Sequence, residues 1–139
     1  MPPRIANTIA KAQDEKITIN LGFVDLGQID LLVQEGFYSN RSDLIRTAIR
    51  NQLSQHAEAV RQAVARRLVV LGIRHFEAAE LKGLQARGET VDLRVLGLAS
   101  IADDVSAELA RATIASLTVL GAFHAPAAVK AALADRMTR

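Results

Sequence analysis

The chain has 139 residues, which is room for one or two small domains. Half of them are apolar, so a packed core is available and wholesale disorder is excluded. Cysteine is absent, which removes disulfides, thiolate metal sites and cysteine nucleophiles, and a net charge of +2 does not by itself announce a nucleic-acid partner.

Residues 1–15 contain two prolines, mixed polarity and no sustained period, and read as a flexible arm. This stretch lacks the apolar core of a secretory leader. No apolar run approaches the ~20 residues that cross a bilayer. With the missing cysteines, these features read as a cytoplasmic protein with no membrane partner.

Residues 16–21, "KITINL", alternate strictly. The alternation predicts a strand with Ile17, Ile19 and Leu21 on one face and Lys16, Thr18 and Asn20 on the other. No second strand follows nearby. Its backbone groups therefore need a partner from a distant segment or another chain.

From Asp25 the spacing of Leu26, Ile29, Leu32 and Val33 predicts a helix, with Gly36 as its terminator. Ser39 or Asn40 is placed to cap a second helix, and Asp43 lies in its first turn. Leu44, Ile45, Ala48, Ile49 and Leu53 form the apolar stripe of that helix. The helical pattern continues to Arg67 with a break near His56.

Beyond it, "LVVLGI" at 68–73, "LRVLGL" at 93–98 and "LTVLGA" at 117–122 align without gaps. Leu84, Leu109 and Leu133 fall at one equivalent position, and Val105 and Val129 at another. Glu77, Ala102 and Pro126 mark equivalent helix starts. Each unit reads as a strand followed by a short helix, and the apolar strands suit a parallel sheet. The short helices would cover one sheet face. The other, bearing Val69, Leu71, Ile73, Leu96, Leu98 and Leu120, is the expected assembly surface, joining dimers more tightly or pairing them into a tetramer.

The order of an alternating strand, a helix, a glycine turn and "SNRSDLIRTAIRNQL" resembles the ribbon-helix-helix family, which includes repressors of the Arc, MetJ and CopG types. The resemblance covers residues 16–53. It implies an intertwined homodimer whose two strands pair antiparallel, one from each chain, and enter the major groove of double-stranded DNA. Lys16, Thr18 and Asn20 match the base-reading positions. Ser39, Asn40, Arg41 and Ser42 match the helix start that clamps a phosphate. Arg41 has the alternative of pairing with Asp43 or a neighbouring carboxylate. Ile17, Ile19, Leu21, Leu44, Ile45 and Ile49 would form the dimer core. One departure is "GFVDLGQ", which puts Gly27 inside the first helix at a cost of ~1 kcal/mol relative to alanine.

The expected fold class is therefore α+β. An arm at 1–15 and a ribbon-helix-helix module at 16–55 precede a connecting helix at 56–67 and a strand-helix repeat domain at 68–139. The expected function is transcriptional repression, with no cofactor and no metal. His75 and His124 occupy equivalent repeat positions, but two strand spacings separate them by about 9–10 Å, too far for one ion. Two other readings remain open: an antitoxin that binds a toxin and controls its own operon, or a self-assembling scaffold. No phosphate loop, nucleophile constellation or paired-carboxylate motif points to an enzyme.

Overall fold

The computed structural model describes residues 14–138, so the arm expected at 1–15 lies almost wholly outside the described residues. The chain divides into two compact units, with boundaries between Glu15 and Lys16 and between Ala63 and Val64.

The first unit, Lys16–Ala63, is built on helices. Helix α1 spans Phe23–Gln34 and α2 spans Arg41–Gln55. After the break at His56, α3 runs over Ala57–Arg67 and crosses the division between units. Helix α1 starts two residues before Asp25, with extended Gly22 as its N-cap. It stops where expected. Gly36 adopts φ +85°, its amide donates to the Val33 carbonyl, and the Phe37 amide donates to that of Leu32. That pair of bonds is a Schellman closure, which needs a positive-φ residue at Gly36. Gly27 has open space where a Cβ would project. No residue of this unit is buried.

Lys16–Leu21 enter no helix and no sheet ladder of the chain. Their side chains are all exposed, with Ile17 at 73%, Ile19 at 57% and Leu21 at 38%. Among the described residues this segment has no strand partner.

The second unit alternates strands and helices. Strand β1 (Val70–Phe76) leads to α4 (Ala78–Ala86), β2 (Val91–Ile101) to α5 (Ala107–Thr113), and β3 (Ile114–His124) to α6 (Ala127–Leu133). A single 3-10 turn, Ala134–Arg136, delivers a two-residue strand β4, Met137–Thr138. The four strands form one sheet in chain order, all parallel. Leu71 pairs with Leu96 and Leu96 with Leu120, which is the register of the gapless sequence alignment.

The core lies between the sheet and the three short helices. Val95, Leu117 and Phe76 from the strands meet Leu81, Leu109, Val129 and Leu133 from the helices and their approaches. Leu84 and Phe123 pack against this cluster.

The structure differs from the expected helix starts at one place. Helix α5 begins at Ala107, not Ala102. The Ser106 hydroxyl accepts the Leu109 amide at 3.1 Å and caps the helix there. Ala102 instead donates its amide to the Phe76 carbonyl of the preceding strand-helix repeat, and Asp103 and Asp104 form the intervening turn.

The recurring glycine of the three hexapeptides has a steric cause. Gly97 and Gly121 adopt φ +138° and +117°. A Cβ at Gly97 would overlap the Gly72 carbonyl, and one at Gly121 the Gly97 carbonyl. Both the conformation and the close strand approach exclude other residues.

Candidate nucleic-acid interface

Two features of the first unit offer polar groups outward. One is the alternating segment. Lys16, Thr18 and Asn20 are exposed, and each is separated from the next by a residue of the apolar row. The other is the start of α2.

That helix start is tightly tied. Asn40 is extended, with φ −165°, and its Oδ1 accepts the Asp43 amide at 2.8 Å. Asp43 Oδ2 in turn accepts the Ser39 amide at 3.0 Å. This is a reciprocal cap displaced by one residue from the usual box. It fixes the turn and uses two donors. The Arg41 and Ser42 amides lie in the first helical turn, where no intrahelical acceptor exists, and they stand at the positive end of the helix dipole.

The Arg41 side chain is committed elsewhere. Its Nε and Nη2 donate to the two carboxylate oxygens of Asp30, each at 2.8 Å. Such a fork fixes the guanidinium plane and ties α2 to the last turns of α1. Those hydrogen bonds, seconded by the Arg41 charge, hold Asp30 below its ordinary value of 3.8. The same hydrogen bonds raise Arg41 above its own. In this geometry Arg41 presents its backbone amide, not its guanidinium, at the helix start. Asp30 is the residue that sequence reasoning missed. Eleven positions separate the pair across a turn, and no local spacing rule connects them.

Among the expected dimer-core residues, Leu44 and Ile45 are half-buried, while Ile17, Ile19, Leu21 and Ile49 are exposed. Arg46 and Arg50 are also exposed.

In the second unit, the sheet register sets Leu71, Leu96 and Leu120 in one row and Ile73 and Leu98 in another. Leu71, Ile73, Leu96 and Leu98 line one cleft of about 410 Å³. Val69 borders another with Arg94 and Thr118. Leu71 and Ile73 are exposed, and Val69, Leu96 and Leu120 half-buried. Leu98 departs from an open assembly surface, because it is only 5% exposed. His75, Ser100 and His124 occupy one row across the strands, with His75 Nδ1 3.0 Å from Ser100 Oγ. The described residues contain no cluster of three or more metal-ligating side chains and no helix long and apolar enough to cross a membrane.

Residues 12–130 match the family model described as the Ribbon-Helix-Helix transcriptional regulator family. No curated protein and no solved structure matches the chain.

Proposed function

The chain belongs to the ribbon-helix-helix transcriptional regulator family, and from that premise we propose that it represses transcription as a homodimer whose paired strands enter the major groove. The observation that carries this reading is the unsatisfied state of the first unit. Lys16–Leu21 alternate apolar and polar, find no strand partner among the described residues and leave their apolar row exposed. Pairing two such segments antiparallel satisfies the backbone and lets both apolar rows cover the helices.

Period-two geometry then sends Lys16, Thr18 and Asn20 to the opposite face. Lys16 donates to acceptors of guanine, while Asn20 has a donor and an acceptor for the N6 and N7 edge of adenine. Thr18 offers a hydroxyl and a methyl to either polar edges or a thymine methyl. The Arg41 and Ser42 amides hold a backbone phosphate, with the Ser39–Asn40 cap keeping the turn in place. Asp30 orients this corner through Arg41. The phosphate contact fixes position along the duplex, and the ribbon supplies sequence preference. Occupying an operator in this way excludes other proteins from it.

Selection of bound sequences from a random DNA pool, followed by titration at several salt concentrations, tests the reading. A single enriched site with two related half-sites is the expected result. Retention of DNA with no enriched sequence at any salt would reject ribbon readout.

A further inference from the structure

The three strand-helix repeats do not bury equivalent residues equally. Leu93 and Leu117 are buried, and so are Val95 and Val119. Their counterparts in the first repeat, Leu68 by sequence alignment and Val70 by sheet register, are 74% and 55% exposed. Strand β1 is an edge of the sheet, and among the described residues no strand lies beyond it. The Gly72 carbonyl faces Gly97 of β2, so the trans peptide turns the Ile73 amide to the outer edge. Gly72 repeats the positive φ of Gly97 and Gly121, at +134°. At Gly97 and Gly121 the missing Cβ leaves room for a carbonyl of the preceding strand. At Gly72 no atom lies within 4 Å of that position. The first repeat thus has the backbone form that receives a further strand.

We propose that β1 pairs antiparallel with β1 of a second copy, about a two-fold axis at Gly72. This rests on the homodimer of the reading above and on nothing in its DNA readout. Edge strands are commonly guarded by free charge. The arginine of β1, Arg74, instead donates to Glu80 at 2.6 Å and lies over the Phe76 ring, so its charge is answered within its own repeat. Pairing at Gly72 sets Leu71 opposite the partner's Ile73 on one side of the ribbon. On the other it sets Val70 against the aliphatic stem of the partner's Arg74. The two glycines at the axis form the close pair of the ladder, with Cα atoms about 4.5 Å apart.

The choice of β1 as its own partner follows from the other edge and from connectivity. Strand β4 already pairs with Leu117 and Thr118 at the opposite edge. Head-to-tail pairing would meet that strand and leave a free β1 at the end of every assembly, whereas two-fold pairing closes. Only Leu68 and Val69 separate α3 from β1. Chains joined through their first units therefore hold their β1 strands at an effective concentration on the order of millimolar.

The chain has no cysteine, so introduced thiols are the sole ones. Full-length protein carrying Leu71→Cys with Ile73→Cys is oxidised and resolved without reductant. The expected product is a disulfide-linked dimer, formed at a rate unchanged by tenfold dilution. Either substitution alone should link far more slowly, because like residues lie on opposite sides of the axis, beyond disulfide reach. Gly72→Ala in the double-cysteine protein places a Cβ in the space between the strands and should slow linkage about tenfold. Absence of a linked dimer overturns the proposal, and in a protein that still sediments as a dimer it leaves the ribbon pairing standing. A ladder of longer linked products overturns it as well and assigns the edge to head-to-tail growth. Linkage untouched by Gly72→Ala rejects the axis at Gly72. Hydrogen exchange gives a readout without substitution. The Ile73 amide should exchange as slowly as the amides of β2, and exchange at the rate of a free edge overturns the pairing.

Discussion

The two units of the chain spend their apolar residues differently. In the second, Phe76, Leu81, Ile114, Leu117 and Leu133 are fully buried between one sheet and three helices. In the first, no side chain is buried, and Ile17, Ile19, Phe23, Phe37 and Leu53 are all exposed. Composition does not explain the contrast, because both segments have enough aliphatic residues to build a core. Connectivity does. Each strand of the second unit has a neighbour supplied by the same chain one repeat away. Among the described residues, the alternating segment of the first has none. One unit completes its core alone, and the described residues of the other do not.

The comparison is broken most severely at the glycine row. Gly97→Ala forces a Cβ into the Gly72 carbonyl and strains a positive-φ residue. It should destabilise the second unit by more than about 3 kcal/mol. Gly72→Ala keeps the strain of a positive φ, +134°, but meets no neighbouring atom and should cost clearly less. Thermal denaturation of both variants orders them. Equal midpoints would show that the close strand approach is not what holds these glycines.

Ile19→Asp addresses the other unit. On a side chain already 57% exposed, a substitution in a complete fold stays within about 0.5 kcal/mol. If a second chain buries Ile19, the unpaired charge costs about 3 kcal/mol or more and drives dissociation. Sedimentation of the variant is expected to show loss of dimer. An unchanged dimer would place Ile19 outside the interface.

Thr18→Ala probes the opposite side of the same segment. It should leave the fold intact and weaken specific DNA binding by ~1–3 kcal/mol for each lost base contact. Equal weakening on random DNA, measured by competition titration, would remove Thr18 from base readout.

The smallest effect concerns Asp30. Asp30→Asn weakens the hold on the Arg41 guanidinium and frees it for phosphate, so the salt slope of DNA binding should steepen by about 1. Arg41→Ala should leave the slope nearly unchanged. The acid side has a defined sign. Because Asp30 is held below 3.8, the stability from its pair with Arg41 is fully present above that value and is lost as pH falls through the lower, folded one. Neutral to mildly acidic pH should therefore not disturb this corner. Acid titration followed by circular dichroism should show a smaller loss of first-unit stability in Asp30→Asn. An equal loss would mean other carboxylates govern it.

What the sequence made legible follows the range of the forces involved. Gly36 and the break at His56 are local events, readable from a few residues. The register of β1, β2 and β3 was readable because it repeats, leucine upon leucine and glycine upon glycine. The reason for Gly97 and Gly121 was not, since a carbonyl on the neighbouring strand imposes it. The start of α5 was misplaced because alignment to Pro126 outweighed the better cap at Ser106. The Arg41–Asp30 pair depends on the angle between two helices, which no pattern encodes. The burial of Leu98 was not legible in the apolar pattern of its strand.

The central claim is that the first unit is completed only by a second chain. Tyr38 is the sole tyrosine, it lies in the turn between α1 and α2, and tryptophan is absent, so tyrosine fluorescence reports on that unit alone. Urea unfolding followed by Tyr38 fluorescence, over a hundredfold range of protein concentration, tests the claim directly. The predicted result is a midpoint that rises with concentration, as mass action requires of a dimer. A Tyr38 midpoint independent of concentration would contradict it.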